Sequence, residues 1–296
     1  MKSKLKVAVV QHDCLDSYSA NLEKSLTGII EASKKNCDLV LLPELHTLPY
    51  FCISEDKNNF KLAESIPGPT TDRLCKQAKQ SEIVIVNSLF EKTESDIYYN
   101  TAVVIDKNGT IAGCYRKMHI PYDPGYYEKF YFSPGNQGFQ PLETSVGKLG
   151  VLVCWDQWFP EAARLMTLSG AEILLYPSAI GWDTRDSQDE QDRQLDSWIT
   201  IQRSHAIANQ IPILSSNRVG TESSPTDNAI QNVFWGSSFI AGPQGEILSQ
   251  AGVDQSSVIV ADIPLNRTKE LRETWPFFRD RRIDAYGKLS EDNKNK

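Results

Sequence analysis

The sequence predicts an α/β fold: two mixed β-sheets with helices outside, built as one domain of two similar halves. Three observations carry that expectation. Short apolar runs alternate with segments of helical period. One hairpin signature interrupts the alternation in each half, which makes the sheets mixed. No Ser/Gly-rich or Pro-rich linker divides the 296 residues.

Leu5 to Val10 reads as the first buried strand, and Asn21 to Lys35 as a helix with Leu22, Leu26, Ile29 and Ile30 on one face. A second apolar strand, Leu39 to Leu42, runs into Pro43 and Glu44. Thr71 is placed to cap a helix carrying Leu74 and Ala78, which leads to a strand from Ile83 to Val86. The first hairpin joins Thr101–Ile105 to Thr110–Tyr115 through a Lys-Asn-Gly turn. The second half repeats this grammar with other residues. A strand from Leu149 to Val153 ends at Cys154, a helix follows from about Pro160 to Ser169, and Ile173 to Tyr176 is the next strand. A long helix from about Asp189 to Asn209 leads to the strand Ile213–Ser215. The second hairpin joins Ser238–Ala241 to Ile247–Ser249 through a Pro-Gln-Gly turn, and Val258–Ala261 is the last strand. The domain is expected to span residues 1–289, with a C-terminal interface segment over about 263–289. Residues 290–296 are a polar tail, expected to be disordered.

With 40% hydrophobic residues the chain can bury a large core. A net charge of -7 and the lack of a basic stripe disfavour nucleic acid and anionic membranes as partners, because each phosphate contact needs a Lys or Arg. The six cysteines have no CxxC pair, so neither a zinc ribbon nor a thioredoxin-like redox site is indicated, and reduced thiols are expected. The apolar run Val7–Val10 stops at Gln11, His12 and Asp13, too short for a signal peptide, and no run approaches the roughly 20 apolar residues of a membrane helix. The expected address is the cytoplasm.

Cys154 stands where an apolar strand gives way to a helix start, whose amides favour a thiolate. A cysteine after Val151–Val153 also suits a plain core position. Glu44 takes the matching position in the first half, at the strand edge where open α/β sheets place ligands. Burial there would raise its pKa and make it a base for a thiol proton; a capping or salt-bridging glutamate is the other reading. Lys117 follows the first hairpin, where a solvated surface charge is the ordinary reading. Beside a thiol and a carboxylate its ammonium would instead stabilise an oxyanion.

PELHTLPYF around Glu44, YRKMHIP around Lys117 and GVLVCWDQWFPEAARLMTLSGAEILLYPSAIG around Cys154 together resemble the nitrilase superfamily of carbon-nitrogen hydrolases. Within it the sequence is similar to the amidohydrolases of N-carbamoylputrescine. The resemblance runs from VAVVQ near the start to WPFFRDRR near Arg282. It implies a four-layer αββα sandwich, with Glu44 as general base, Lys117 as oxyanion stabiliser and Cys154 as nucleophile. It also implies a supporting role for Glu128 in PGYYEKFYFSPG, which would otherwise read as a solvated loop charge, and a second oxyanion donor in the backbone N–H of Trp155. No metal or other cofactor is needed. A cysteine-histidine pairing through His119 or His205 is the competing mechanism.

The resemblance implies arginines just after the nucleophile in members that hydrolyse N-carbamoyl amino acids; here Asp156, Gln157 and Trp158 stand there and offer no cation, which disfavours a substrate carboxylate. An ammonium tail needs an acidic or aromatic partner. Trp158 offers an apolar wall and Asp183, in the loop Gly181–Asp186, a carboxylate for the amine, although that loop also reads as a solvated turn. The expected substrate is the small molecule N-carbamoylputrescine. A related amidase, an N-carbamoyl amino acid amidohydrolase or a nitrilase would reuse the same three residues. A binding scaffold without activity would have no cause to keep them together. The resemblance implies a homo-oligomer, a dimer or larger and up to an octamer, and Trp275-Pro276-Phe277-Phe278 suits an interface or a fold back onto its own subunit.

Overall fold

The computed structural model describes residues 3–224 and 230–291. The first half comprises β1 (Lys4–Gln11), α1 (Tyr18–Lys34), β2 (Leu39–Leu41), α2 (Pro69–Ser81), β3 (Val84–Lys92), β4 (Tyr98–Ile105) and β5 (Ile111–Arg116). After α3 (Glu128–Tyr131) come β6 (Leu142–Thr144), β7 (Gly147–Val151), α4 (Pro160–Leu168), β8 (Ile173–Pro177), β9 (Gly181–Asp183) and α5 (Gln188–Asn209). The chain continues through β10 (Ile213–Ser216), β11 (Val219–Ser223), β12 (Gln231–Trp235), β13 (Phe239–Ala241), β14 (Ile247–Gln250), β15 (Ser257–Pro264) and α6 (Arg267–Thr274).

Two six-stranded sheets result, in the orders β15-β1-β2-β3-β4-β5 and β14-β13-β10-β8-β7-β6. Both are mixed, and their pairings match. Taken from β15, the first sheet pairs antiparallel, parallel, parallel, antiparallel, antiparallel. Taken from β6, the second repeats that series. The two halves are therefore alike in topology.

Period-two alternation explains the layering. Val7, Val9, Leu39, Leu41, Val84 and Val86 face the second sheet and share one core with Leu149, Val151, Ile173, Leu175 and Ile213. The intervening Ala8, Val10, Val40, Leu42 and Ile85 face outward onto Leu22, Leu26 and Ile29 of α1 and Leu74 and Ala78 of α2. On the far side Ala162, Ala163 and Met166 of α4 and Trp198 and Ala206 of α5 cover the second sheet. The outcome is helix, sheet, sheet, helix.

Several elements differ from expectation. α1 begins three residues earlier than Asn21, because Ser17 caps it by accepting the Ala20 N–H. α2 begins at Pro69, and Thr71 acts from inside the first turn, where its hydroxyl accepts the Gly68 N–H at 2.8 Å. β3 runs on to Lys92 because β4 pairs with it along that length. The last strand, β15, leaves its own half and pairs antiparallel with β1 along eight residues. β9, β11 and β12 form a separate three-stranded sheet, so the segment read as the loop Gly181–Asp186 is strand at its start. Of the expected tail, Ser290 closes a helical turn and residues 292–296 lie outside the described residues. Among the described residues no helix is long and apolar enough to cross a membrane.

Candidate active site

Glu44 follows β2 and has no solvent exposure. The chain turns sharply after it, with Leu45 at φ +48°. The buried guanidinium of Arg218 holds that turn, donating to the carbonyls of Glu44 at 2.7 Å, Leu45 at 3.1 Å and Leu48 at 3.2 Å. Asn100, in β4, donates to Glu44 Oε1 at 2.6 Å. Lys117 follows β5 and its Nζ donates to the same oxygen at 2.8 Å. It is wholly buried, so the solvated reading of this lysine does not hold.

Glu128 opens α3 and closes the other side of the ammonium. Its carboxylate accepts from Lys117 Nζ at 2.7 and 2.9 Å and from the Tyr50 hydroxyl at 2.7 Å. Glu128 has no solvent exposure either, and the loop-charge reading fails with that. Burial works against the Lys117 ammonium, but Glu128 and Glu44 outweigh it and hold its pKa well above the ordinary lysine value. Burial raises the Glu128 carboxyl, with Glu44 adding to the rise and Lys117 opposing it.

Cys154 starts a 3-10 turn, Cys154–Trp158, directly beyond the β7 edge, and takes φ +43°, a strained value for a residue with a Cβ. Buried Asp156 fixes this turn. It accepts from the N–H of Val153 at 3.0 Å, the Tyr115 hydroxyl at 2.8 Å and His119 through both its backbone N–H and Nδ1. The Cys154 sulfur lies 4.0 Å from the Ala179 carbonyl oxygen. Burial pushes its thiol well above the usual cysteine range, Glu44 pushes the same way, and Lys117 offsets only part. Burial and the carboxylates thus act against the thiolate that the amides of a helix start would favour. One oxygen of Glu44, Oε2, is buried without a hydrogen-bond partner among the described residues. It remains free to accept a proton.

Glu44 and Cys154 do not occupy matching positions in the two halves. Cys154 follows β7, the counterpart of β1, whereas Glu44 follows β2, the counterpart of β8. The ends of β2 and β8 are joined instead, with the Glu44 N–H donating to the Ser178 carbonyl at 3.2 Å.

A pocket of about 650 Å³ opens on Cys154. Trp155, Trp158 and Trp235 line it, together with Asp123 and Asp183. Trp158 therefore lies on the pocket wall. Asp183 also reaches the pocket, but its carboxylate is bound by the guanidinium of Arg185. Two cations that the residues after the nucleophile did not announce, Arg185 and Arg193, are on the wall as well. Among the described residues no group of three or more His, Cys, Asp or Glu side chains is placed to hold a metal ion.

Residues 6–273 match the family model described as carbon-nitrogen hydrolase. The chain belongs to the carbon-nitrogen hydrolase family. Its relatives in that family include an N-carbamoylputrescine amidase from Oryza sativa subsp. japonica, 45% identical over 96% of this chain and 94% of the rice protein. A citrullinase from Francisella tularensis is 40% identical over 96% of this chain and 98% of its own length. A crystal structure of a carbon-nitrogen hydrolase from Helicobacter pylori G27 superposes with a TM-score of 0.94 at 48% identity, covering 97% of this chain and 99% of that one. The αββα sandwich of this chain superposes on those of its solved relatives over nearly its whole length, as it does on Saccharomyces cerevisiae Nit3 with a TM-score of 0.78 at 26% identity.

Within this carbon-nitrogen hydrolase, the two histidines of the competing mechanism are engaged elsewhere. His119 pairs with Asp156 and stacks on Phe159 at 3.6 Å between centroids, and His205 bonds the Tyr176 hydroxyl at 3.0 Å. The sequence reading missed Asn100, Tyr50 and Arg218 as organisers of the site. Asn100 carried a signal, a polar residue inside an apolar strand that burial makes costly without a partner. Arg218 carried none, standing between two short strands like any surface cation.

Proposed function

We propose that this carbon-nitrogen hydrolase cleaves N-carbamoylputrescine to putrescine, ammonia and carbon dioxide, with Cys154 as nucleophile. The observation that carries the reading is the buried set around the sulfur: the Cys154 thiol, a carboxylate oxygen of Glu44 with no partner among the described residues, and a Lys117 ammonium anchored by Glu128. Burial makes the charged groups forceful, because water does not screen them. The rice relative, an N-carbamoylputrescine amidase at 45% identity, supports the substrate.

In the proposed reaction Glu44 takes the thiol proton as the sulfur attacks the ureido carbon, and the oxygen gains the electron pair. The Lys117 ammonium and the Trp155 N–H hold that oxyanion. The bond to the terminal NH2 breaks, and Glu44 returns the proton, releasing ammonia. Water then attacks the carbamoyl thioester with Glu44 again as base. The C–S bond breaks, the sulfur recovers a proton, and the released carbamic acid splits into amine and carbon dioxide. Glu128 keeps the ammonium aimed while Glu44 passes between charged and neutral forms.

A second reading rests on Arg185 and Arg193 in the pocket wall: a ureido compound ending in a carboxylate, as the citrullinase relative suggests. Both guanidiniums are already paired, with Asp183 and Glu190, and the wall carries more acid than base, which favours the amine. The deciding experiment follows ammonia release from N-carbamoylputrescine, citrulline, N-carbamoyl-β-alanine and a simple nitrile. Release from the first alone supports the proposal. Preference for any other compound overturns the substrate assignment.

We further read the protein as a cytoplasmic homo-oligomer. Trp275 (60% exposed), Phe277 and Ile283 (73% exposed) present apolar surface beside α6. Phe278, by contrast, folds onto its own subunit among Arg164, Arg272 and Arg281. Light scattering coupled to gel filtration tests this, and a monomer at micromolar concentration contradicts it.

A further inference from the structure

Four carboxylates and two guanidiniums line the pocket beside Cys154: Asp123, Asp183, Asp186 and Glu190 against Arg185 and Arg193. Three of the four carboxylates are engaged within the protein. Asp183 holds Arg185, with Nε at 2.8 and 3.0 Å. Glu190 holds Arg193 at 2.7 Å, and Asp186 accepts from Gln194 Nε2 at 2.9 Å. Asp123 makes no ion pair and no side-chain hydrogen bond among the described residues. It is half-buried, and burial lifts its carboxyl above the usual aspartate range, with the Lys117 charge opposing the rise.

The position of Asp123 is also fixed. Asp123-Pro124-Gly125-Tyr126 is a tight turn in which the Tyr126 N–H donates to the Asp123 carbonyl at 2.8 Å, with Gly125 at φ +82°. Pro at the second position and Gly at the third are what a type II turn demands. A Cβ at residue 125 would also meet Asn232 Oδ1 at 2.8 Å, and the Asn232 amide ties this turn to β12 through the Gly125 carbonyl. The Tyr126 hydroxyl accepts the Gly181 N–H at 2.9 Å and donates to the Gly181 carbonyl at 3.2 Å, fastening the turn to β9. A carboxylate on so rigid a support needs little reorganisation to receive a cation.

We infer that Asp123, rather than Asp183, receives the terminal ammonium of the substrate and sets the enzyme's preference for ureas with a cationic tail. The ureido end lies at Cys154 and the alkyl chain runs along Trp155 and Trp158. The ammonium then replaces water at a carboxylate that has no cation of its own among the described residues. At Asp183 the Arg185 guanidinium already offsets the charge that would draw an ammonium. This inference rests on the substrate reading given above.

The test compares kcat/KM for N-carbamoylputrescine with that for N-butylurea, which lacks only the terminal amine, in the wild type and in Asp123→Asn. A charge-assisted hydrogen bond lost from binding lowers the ratio by about ten- to a hundredfold, entering through KM. Asp123→Lys should move preference further, toward N-carbamoyl-4-aminobutyrate, whose tail is anionic. An unchanged ratio in Asp123→Asn, or an equal loss on both ureas, overturns the role of Asp123 while the substrate reading stands. A wild-type ratio near one overturns the substrate reading itself, and the role of Asp123 with it.

Discussion

The ammonium of Lys117 lies 2.8 Å from Glu44 Oε1, and neither side chain has any solvent exposure. Glu128 holds the same ammonium from the opposite side at 2.7 Å, so one buried cation faces two buried carboxylates. Replacing Lys117 with Met leaves those two carboxylates uncompensated. Breaking a buried pair in this way costs about 3–5 kcal/mol. Denaturant unfolding of Lys117→Met should show that loss together with activity at background. Stability equal to wild type would mean that the triad is not charged as described.

Glu128→Gln removes one negative charge but keeps a side chain able to accept from Lys117 and Tyr50. Its fold should persist, since the Lys117–Glu44 pair remains. If Glu128 serves to aim the ammonium, kcat drops by about a hundredfold or more. Steady-state kinetics and a thermal melt on the same preparation check this. Wild-type kcat would remove Glu128 from the mechanism.

The resting thiol is expected to be protonated. Burial, then Glu44, hold Cys154 well above the ordinary cysteine range. The ultraviolet thiolate absorbance of wild type minus that of Cys154→Ala should show no ionisation step between about pH 6 and 9. A step near neutrality would mean a preformed thiolate and would relieve Glu44 of the first proton transfer.

His12 and His205 are buried, and desolvation lowers both to about pKa 4. A histidine depressed in the folded state contributes stability that is complete above its unfolded pKa of about 6.5. That contribution is lost as pH falls toward 4, on the order of 3 kcal/mol for each ring. Thermal melts at stepped pH should show Tm falling through this window. A Tm flat from pH 7 to 4 contradicts the burial of neutral imidazoles.

Much of this was legible in the sequence where one physical pattern decides the outcome. The continuous apolar runs Val7–Val10 and Leu39–Leu42 mark strands with both faces buried, and the helical period of Leu22, Leu26 and Ile29 marks α1. Pairing partners were not legible: nothing in Val258–Ala261 says that β15 crosses to β1, because alternation reports a face and not a neighbour. β11, with only Val219 fully buried, lacks the apolar run that marks a strand. At the site, the strand ends point to Glu44 and Cys154, while Lys117 and Glu128 stand out only through the family resemblance. Nothing in the sequence around Asp183 says that Arg185, two residues on, folds back onto it. Asp123 went unnoticed because a turn aspartate before Pro-Gly reads as turn chemistry alone.

Every step of the proposed reaction depends on attack of the Cys154 sulfur on the ureido carbon. Ammonia release from N-carbamoylputrescine by wild type and Cys154→Ala, measured side by side on proteins of matched melting temperature, tests it most directly. The wild type should release ammonia, and the variant should lose about a thousandfold or more of that rate. A Cys154→Ala protein that releases ammonia at close to the wild-type rate would contradict it.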